Sequence, residues 1–219
     1  MPCLAPSEFL QTPVASAFGA FAESVIAGDY LKNVGRPSFF PASPFDFLDI
    51  SVGFGNTVLY IAFLKSHHPR LSAAALLALS AGGLLKIPDM MTSDAPRRTE
   101  FYEIKPNSFT GRAAGSVKIA MIDGLMTFHS LPYVPGTQYS PNTRIPIFSG
   151  TPLGARLDVF FHFERIAPGL VVYDVCAEGD LAQLGLAVLL AILAIIIAIL
   201  LRRGLPGGNP GPVPVPTLA

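Results

Sequence analysis

Lys86-Ile-Pro-Asp89 and, a short polar stretch later, Glu100-Phe-Tyr-Glu103-Ile-Lys105-Pro106 are the segments whose reading decides the fold. A strand sends alternate side chains to one face, so Glu103 and Lys105 project together, and a neighbouring strand can bring Asp89 beside them. Working outward, a strand is expected near Leu85 to Met91 and another from Thr99 to Lys105, joined by a polar turn with Asp94, Pro96, Arg97 and Arg98. Pro106-Asn107-Ser108 breaks the second strand, and Thr110 can cap a helix running from about Gly111 to His129.

Two acids and a lysine at one sheet edge suit phosphodiester hydrolysis. That reaction needs a charge sink for the pentavalent oxygens and a water made nucleophilic, both of which a bound Mg2+ can supply. Mg2+ takes few protein ligands and keeps several waters, so Asp89, Glu103 and the carbonyl of Ile104 would suffice. Lys105 would polarise the attacking water and stabilise developing negative charge. Each piece also has an ordinary reading: a Glu and a Lys two apart are commonly a solvated pair, and Pro-Asp commonly opens a turn. What raises the chemical reading is the order of an apolar helix, Pro88-Asp89, the strand, and a helix carrying Lys118.

On these residues the chain resembles the PD-(D/E)xK nuclease superfamily, with Pro88-Asp89 matching the first element and Glu103-Ile-Lys105 the second. The resemblance covers about Leu71 to Tyr173. It implies an α/β (α+β) restriction-endonuclease-like core, a mixed central sheet flanked by helices. It further implies a metal-dependent nuclease using Mg2+ or Mn2+ on nucleic acid, DNA ahead of RNA. Asp89 and Glu103 would be metal ligands, Lys105 the catalytic lysine, and Lys118 would stand where Gln often does. The run Glu-Ile-Lys-Pro followed by Asn-Ser also looks like nuclease domains of bacterial polymorphic toxins, which admits an effector or defence role, an immunity or secretion partner, and a homodimer. One departure stands out: many members bring an acid from the helix before the first strand, and Ser72 to Leu85 has none. Glu23, Asp46 or Asp49 would fill that role, or the site has one ligand fewer. Arg97, Arg98 and Arg112 would contact phosphates, or are ordinary solvated charge.

The 219 residues suffice for one domain with appendages. The net charge of +0 hides a local excess of Lys86, Arg97, Arg98, Lys105, Arg112 and Lys118 over Asp89, Asp94, Glu100 and Glu103. Cys3 and Cys176, far apart in sequence, announce neither a zinc knuckle nor a disulfide framework, and no structural disulfide is expected. The mean hydropathy of +0.50 traces mainly to Leu181 to Leu201, which carries no charge and is long enough to cross a bilayer as a helix. The expected layout is a helical or irregular region over 1–70, the nuclease-like core over 71–180, a transmembrane helix over 181–201, and a Gly/Pro-rich tail over 202–219. Asp174, Glu178 and Asp180 before the span and Arg202-Arg203 after it favour a cytoplasmic tail. A translocated or late-inserting toxin would place the domain differently, and both topologies stay open.

Elsewhere, Glu8 to Leu31 has helical spacing with Phe9, Phe18, Phe21 and Val25 inward, and a helix is expected from Asn56 through Leu64. His67 and His68 at its end point in different directions and are not expected to bind metal. Leu71 to Leu85 reads as a buried helix capped by Ser72, with a second membrane span as runner-up. Leu131 to Pro146 reads as a long loop. Arg156 to Ile166 alternates, with Leu157, Val159, Phe161 and Phe163 inward, turns at Ala167-Pro168-Gly169 and returns over Leu170 to Val175. His129 and His162 read as packing or surface residues. The competing class is a membrane-anchored structural or interaction protein with a degenerate, non-catalytic nuclease-like fold, its Pro-rich tail binding partners. A pore former using both apolar segments is a third.

Overall fold

The strand carrying Glu103 and Lys105 is β3 (Thr99–Pro106), and the sheet is laid along its two edges. The computed structural model describes residues 3–8, 12–34, 52–81, 86–92, 99–151 and 156–179. One edge of β3 takes β2 (Met90–Thr92) antiparallel, Met90 opposite Tyr102 and Thr92 opposite Glu100. The other edge takes two parallel partners in tandem: β4 (Tyr133–Pro135) against Thr99 to Phe101, and β7 (Leu170–Glu178) with Glu103 opposite Leu170 and Lys105 opposite Val172. With β5 (Asn142–Gly150) and β6 (Leu157–Ala167) the order is β2-β3-β7-β6-β5, and β1 (Cys3–Leu4) pairs antiparallel with β7. The result is a mixed α+β fold, a mixed sheet flanked by helices.

Period-two alternation divides β3 between two layers. Phe101 and Glu103 face α2 (Val52–His67), α3 (Ala73–Ser80) and α4 (Phe109–Phe128), where Tyr60, Leu64, Leu76, Leu79, Ile119, Ile122 and Met126 form a core with Phe101, Leu170 and Val172. Glu100, Tyr102 and Ile104 face the other way, and α1 (Thr12–Asn33) covers that side: Tyr30 packs on Tyr102 and Tyr139, and Phe18 on Phe161 and Tyr173. The inward line of α1 is Phe18, Ala22, Ile26 and Tyr30, spaced four apart as a helical stripe requires. Phe21 and Val25, also expected inward, are half-buried, and Phe9 lies outside the described residues. Each large apolar side chain so buried contributes about 2 kcal/mol.

Several elements depart from the sequence reading. Helix α4 is capped by Ser108, whose Oγ accepts the Gly111 N–H at 3.0 Å, and Thr110 falls inside the first turn. Helix α2 begins at Val52, before Asn56. Helix α3 is capped by Ser72 as expected but spans only Ala73–Ser80. The strand expected from Leu85 shortens to β2, because Ile87 to Asp89 bends before Met90. The segment read as a long loop holds β4 and the start of β5: its prolines and polar residues sit in short strands at places where a full ladder is not required. The β6–β7 turn matches its reading, with Gly169 at φ 73° taking the left-handed position that a side chain would strain.

Cys3 and Cys176 form a disulfide, contrary to expectation. Sequence distance was a poor guide, because β1 lies against β7 with Cys3 directly opposite Cys176. Among the described residues no helix is long and apolar enough to cross a membrane. The expected transmembrane run Leu181 to Leu201 and the tail after it lie outside the described residues.

The chain divides into two compact units, a larger one of residues 3–145 and 161–176 and a smaller one of residues 1–2, 146–160 and 177–219. In the smaller unit Arg156 Nε meets Asp158 Oδ2 at 2.7 Å. Every candidate site residue described below belongs to the larger unit.

Candidate functional site

Asp89 sits where β2 leaves β3. Its N–H still donates to the Tyr102 carbonyl at 3.0 Å, continuing the ladder, and its Oδ2 then accepts the Ile104 N–H at 2.7 Å, replacing the next backbone partner. That substitution fixes a carboxylate beside Glu103 at the point where β2 leaves β3, as the Pro88-Asp89 reading requires. Glu103 is 0% exposed and points into the α4 layer. Lys105, two residues on along the same face, forms an ion pair with Glu103 Oε1, approaches Asp89 Oδ2 at 3.4 Å and donates to the Ile104 carbonyl at 3.1 Å.

Lys118 completes the cluster from α4. Its Nζ lies 2.8 Å from Glu103 Oε2 and 3.4 Å from Asp89 Oδ1. The helix can come this close to the strand because residue 115 is glycine. A Cβ there would collide with Leu170 and press on Lys105 Cγ at 3.1 Å. The sequence reading passed over Gly115, though a glycine one turn before Lys118 on the same helix side was a usable signal.

The electrostatics divide the acids. Burial pushes the Asp89 carboxyl up, but Lys105, Lys118 and the Ile104 N–H outweigh it and hold it down at about 2. Burial and the neighbouring Asp89 charge push Glu103 up to about 8 against both lysines. Burial disfavours the Lys105 charge, yet Asp89 and Glu103 together hold its ammonium above the ordinary lysine range.

Of the three acids left open as a further ligand, Glu23 is drawn into this field. It is half-buried on α1, and burial, then Asp89 and Glu103, raise its carboxyl to about 8 against the pull of Lys105 and Lys118. Asp46 and Asp49 lie outside the described residues, as do Arg97 and Arg98, while Arg112 is exposed in the first turn of α4. The histidines are engaged elsewhere: His68 Nε2 meets the Tyr133 hydroxyl at 2.9 Å, His67 stacks on Phe63, His129 on Phe128, and His162 Nε2 meets Asn142 Oδ1 at 3.3 Å.

The donor set suits a hard divalent cation. Both Glu103 oxygens are buried without a neutral hydrogen-bond donor among the described residues, and they meet ammonium groups instead. Two carboxylates and the Ile104 carbonyl are a set that Mg2+ can take while keeping several waters. No group of three or more His, Cys, Asp or Glu side chains that could hold a metal ion occurs among the described residues, so a cation here would rest on those two acids. No protein-family model matches the chain, and neither does any curated protein or solved structure.

Proposed function

We propose that this chain is a metal-dependent nuclease of the PD-(D/E)xK type, hydrolysing phosphodiester bonds of DNA, with RNA as the alternative substrate. The observation that carries the reading is the convergence of Asp89, Glu103, Lys105 and Lys118, from β3, the bend before β2, and α4, on one sheet edge. Asp89, Glu103 and the Ile104 carbonyl would hold Mg2+ or Mn2+, which supplies charge neutralisation and a more acidic water when bound. Lys105 would orient the attacking water and neutralise charge as it builds on the phosphoryl oxygens. Water oxygen would then join phosphorus as the water gives a proton to solvent, the bond to one ester oxygen would break, and a proton from solvent would pass to that leaving oxygen. Glu23 would bind outer waters, and Arg112 would meet a flanking phosphate. In this reading Leu181 to Leu201 attaches the enzyme to a membrane, as a toxin, effector or defence protein.

The experiment is cleavage of plasmid DNA and of RNA by the purified full chain with Mg2+, with EDTA, and with Lys105→Ala. Cutting that needs Mg2+ and is lost in the folded variant supports the assignment, and cutting retained in Lys105→Ala overturns it. A second reading, a membrane-anchored interaction protein with a non-catalytic nuclease-like fold, is favoured by one observation. Every candidate ligand oxygen already meets a lysine ammonium. It would give no metal-dependent cutting, together with capture of a partner that depends on residues 202–219.

A further inference from the structure

We propose that Lys118 is a built-in placeholder for the cation, and that a divalent ion enters by displacing its ammonium from Asp89 and Glu103. The inference rests on the nuclease reading of the site and adds an order of events within it. Two positively charged groups share the five oxygens in question. Lys105 holds Asp89 Oδ2, Glu103 Oε1 and the Ile104 carbonyl, and Lys118 holds Asp89 Oδ1 and Glu103 Oε2. One oxygen from each of two carboxylates is what an ion bridging them would take; each lysine holds one such pair, and an ion in the place of Lys118 Nζ would rest on the two acids while Lys105 keeps the Ile104 carbonyl.

The two lysines are not equally free to leave. Lys105 is rooted on the same strand as Glu103 and is also tied to a backbone carbonyl, whereas Lys118 comes from a separate element on a flexible four-carbon stem. It is 8% exposed, with Ala114 exposed and Met121 half-buried one turn to either side on α4, while the Lys105 side chain is the more exposed of the two. Two ammonium groups already share the two carboxylates, and a divalent cation added while both stay would face like charges on two sides in a partly dry site, so one ammonium has to leave. Once displaced, Lys118 is left beside the two acids with its charge available to a phosphate.

Mn2+ titration of the full chain, followed through the electron paramagnetic resonance signal of the free ion, tests this in wild type, Lys118→Gln and Lys118→Arg. Removing the competing charge is expected to tighten Mn2+ binding about tenfold in Lys118→Gln, with Lys118→Arg close to wild type. Acetic anhydride labelling read by mass spectrometry gives a second measurement on the unmodified chain: Mn2+ should increase labelling of Lys118. Equal or weaker binding by folded Lys118→Gln overturns the displacement, and if that variant does not fold, labelling of Lys118 unchanged by the ion overturns it instead. If neither wild type nor Lys118→Gln binds Mn2+, the metal reading itself fails and the displacement goes with it.

Discussion

Two glutamates three residues apart on β3 are both buried, Glu100 at 2% exposure and Glu103 at 0%, and their surroundings are opposite in kind. Glu100 is met by neutral donors: the Tyr102 hydroxyl at 2.7 Å, the Thr137 N–H and hydroxyl at 3.0 and 3.2 Å, and the Gln138 N–H at 3.2 Å. These donors hold the loop after β4 to the face covered by α1, and the arrangement leaves nothing for a ligand to add. Glu103 is met by two ammonium groups and a second carboxylate. The first environment satisfies a buried charge, while the second concentrates charge that a cation or a phosphate can rearrange. Burial alone therefore does not distinguish the two acids, and the type of donor does.

The same substitution at both positions should separate them most sharply. Glu103→Gln is expected to reduce metal-dependent cutting by about 10² to 10³ while leaving the urea midpoint of unfolding of the metal-free protein close to wild type below pH 8, since the raised Glu103 carboxyl is already mostly neutral there. A large loss of stability at that position would mean that Glu103 is structural like its neighbour. Glu100→Gln should do the reverse. Its new amide would face donors at Thr137, Gln138 and Tyr102, costing about 2 to 3 kcal/mol of stability, with cutting per folded molecule unchanged. Reduced specific activity in that variant would extend the site to both faces of β3.

A smaller effect follows from the raised acids. Glu23 and Glu103 stand at about 8 in the folded chain against ordinary values of 4.5, so the stability they confer is complete below about 4.5 and is lost as pH rises through about 8. The midpoint temperature of the metal-free protein should fall between pH 5 and pH 8.5, and Glu23→Gln should flatten the slope. Superimposable profiles for wild type and variant would remove Glu23 from the cluster. The smallest effect concerns the helix that brings Lys118. Ser108→Ala should cost about 1 kcal/mol, while Thr110→Ala should cost clearly less, because Ser108 Oγ caps α4. Equal losses in thermal unfolding would return the cap to Thr110.

The parts of this arrangement that could be read from sequence are those set by short-range rules. Alternation along β3 put Glu103 and Lys105 on one face, and Pro88-Asp89, close by in sequence, had few places to go other than the same edge. Lys118 was legible for a similar reason, since a helix directly after a strand usually packs back across it. The nearness of Glu23 to the cluster's charges was not legible, because it depends on how α1 packs on β3, which the contacts of Tyr30 with Tyr102 and Tyr139 decide. The Glu100 network was also hidden, for its donors come from Thr137 and Gln138, inside a stretch whose composition reads as loop. Apolar periodicity located the inward line of β6, yet missed that of α1 by a residue at Phe21 and Val25.

The Cys3–Cys176 bond, 173 residues apart along the chain, closes nearly the whole larger unit into a covalent ring. A pull applied between residues before Cys3 and residues after Cys176 passes through the sulfurs and bypasses the strands and helices that hold Asp89, Glu103 and Lys118 together. While the bond is intact, such tension cannot take the site apart, and the chain cannot pass a narrow channel as a single thread. Reduction at the exposed Cys3 is the event that would make it threadable.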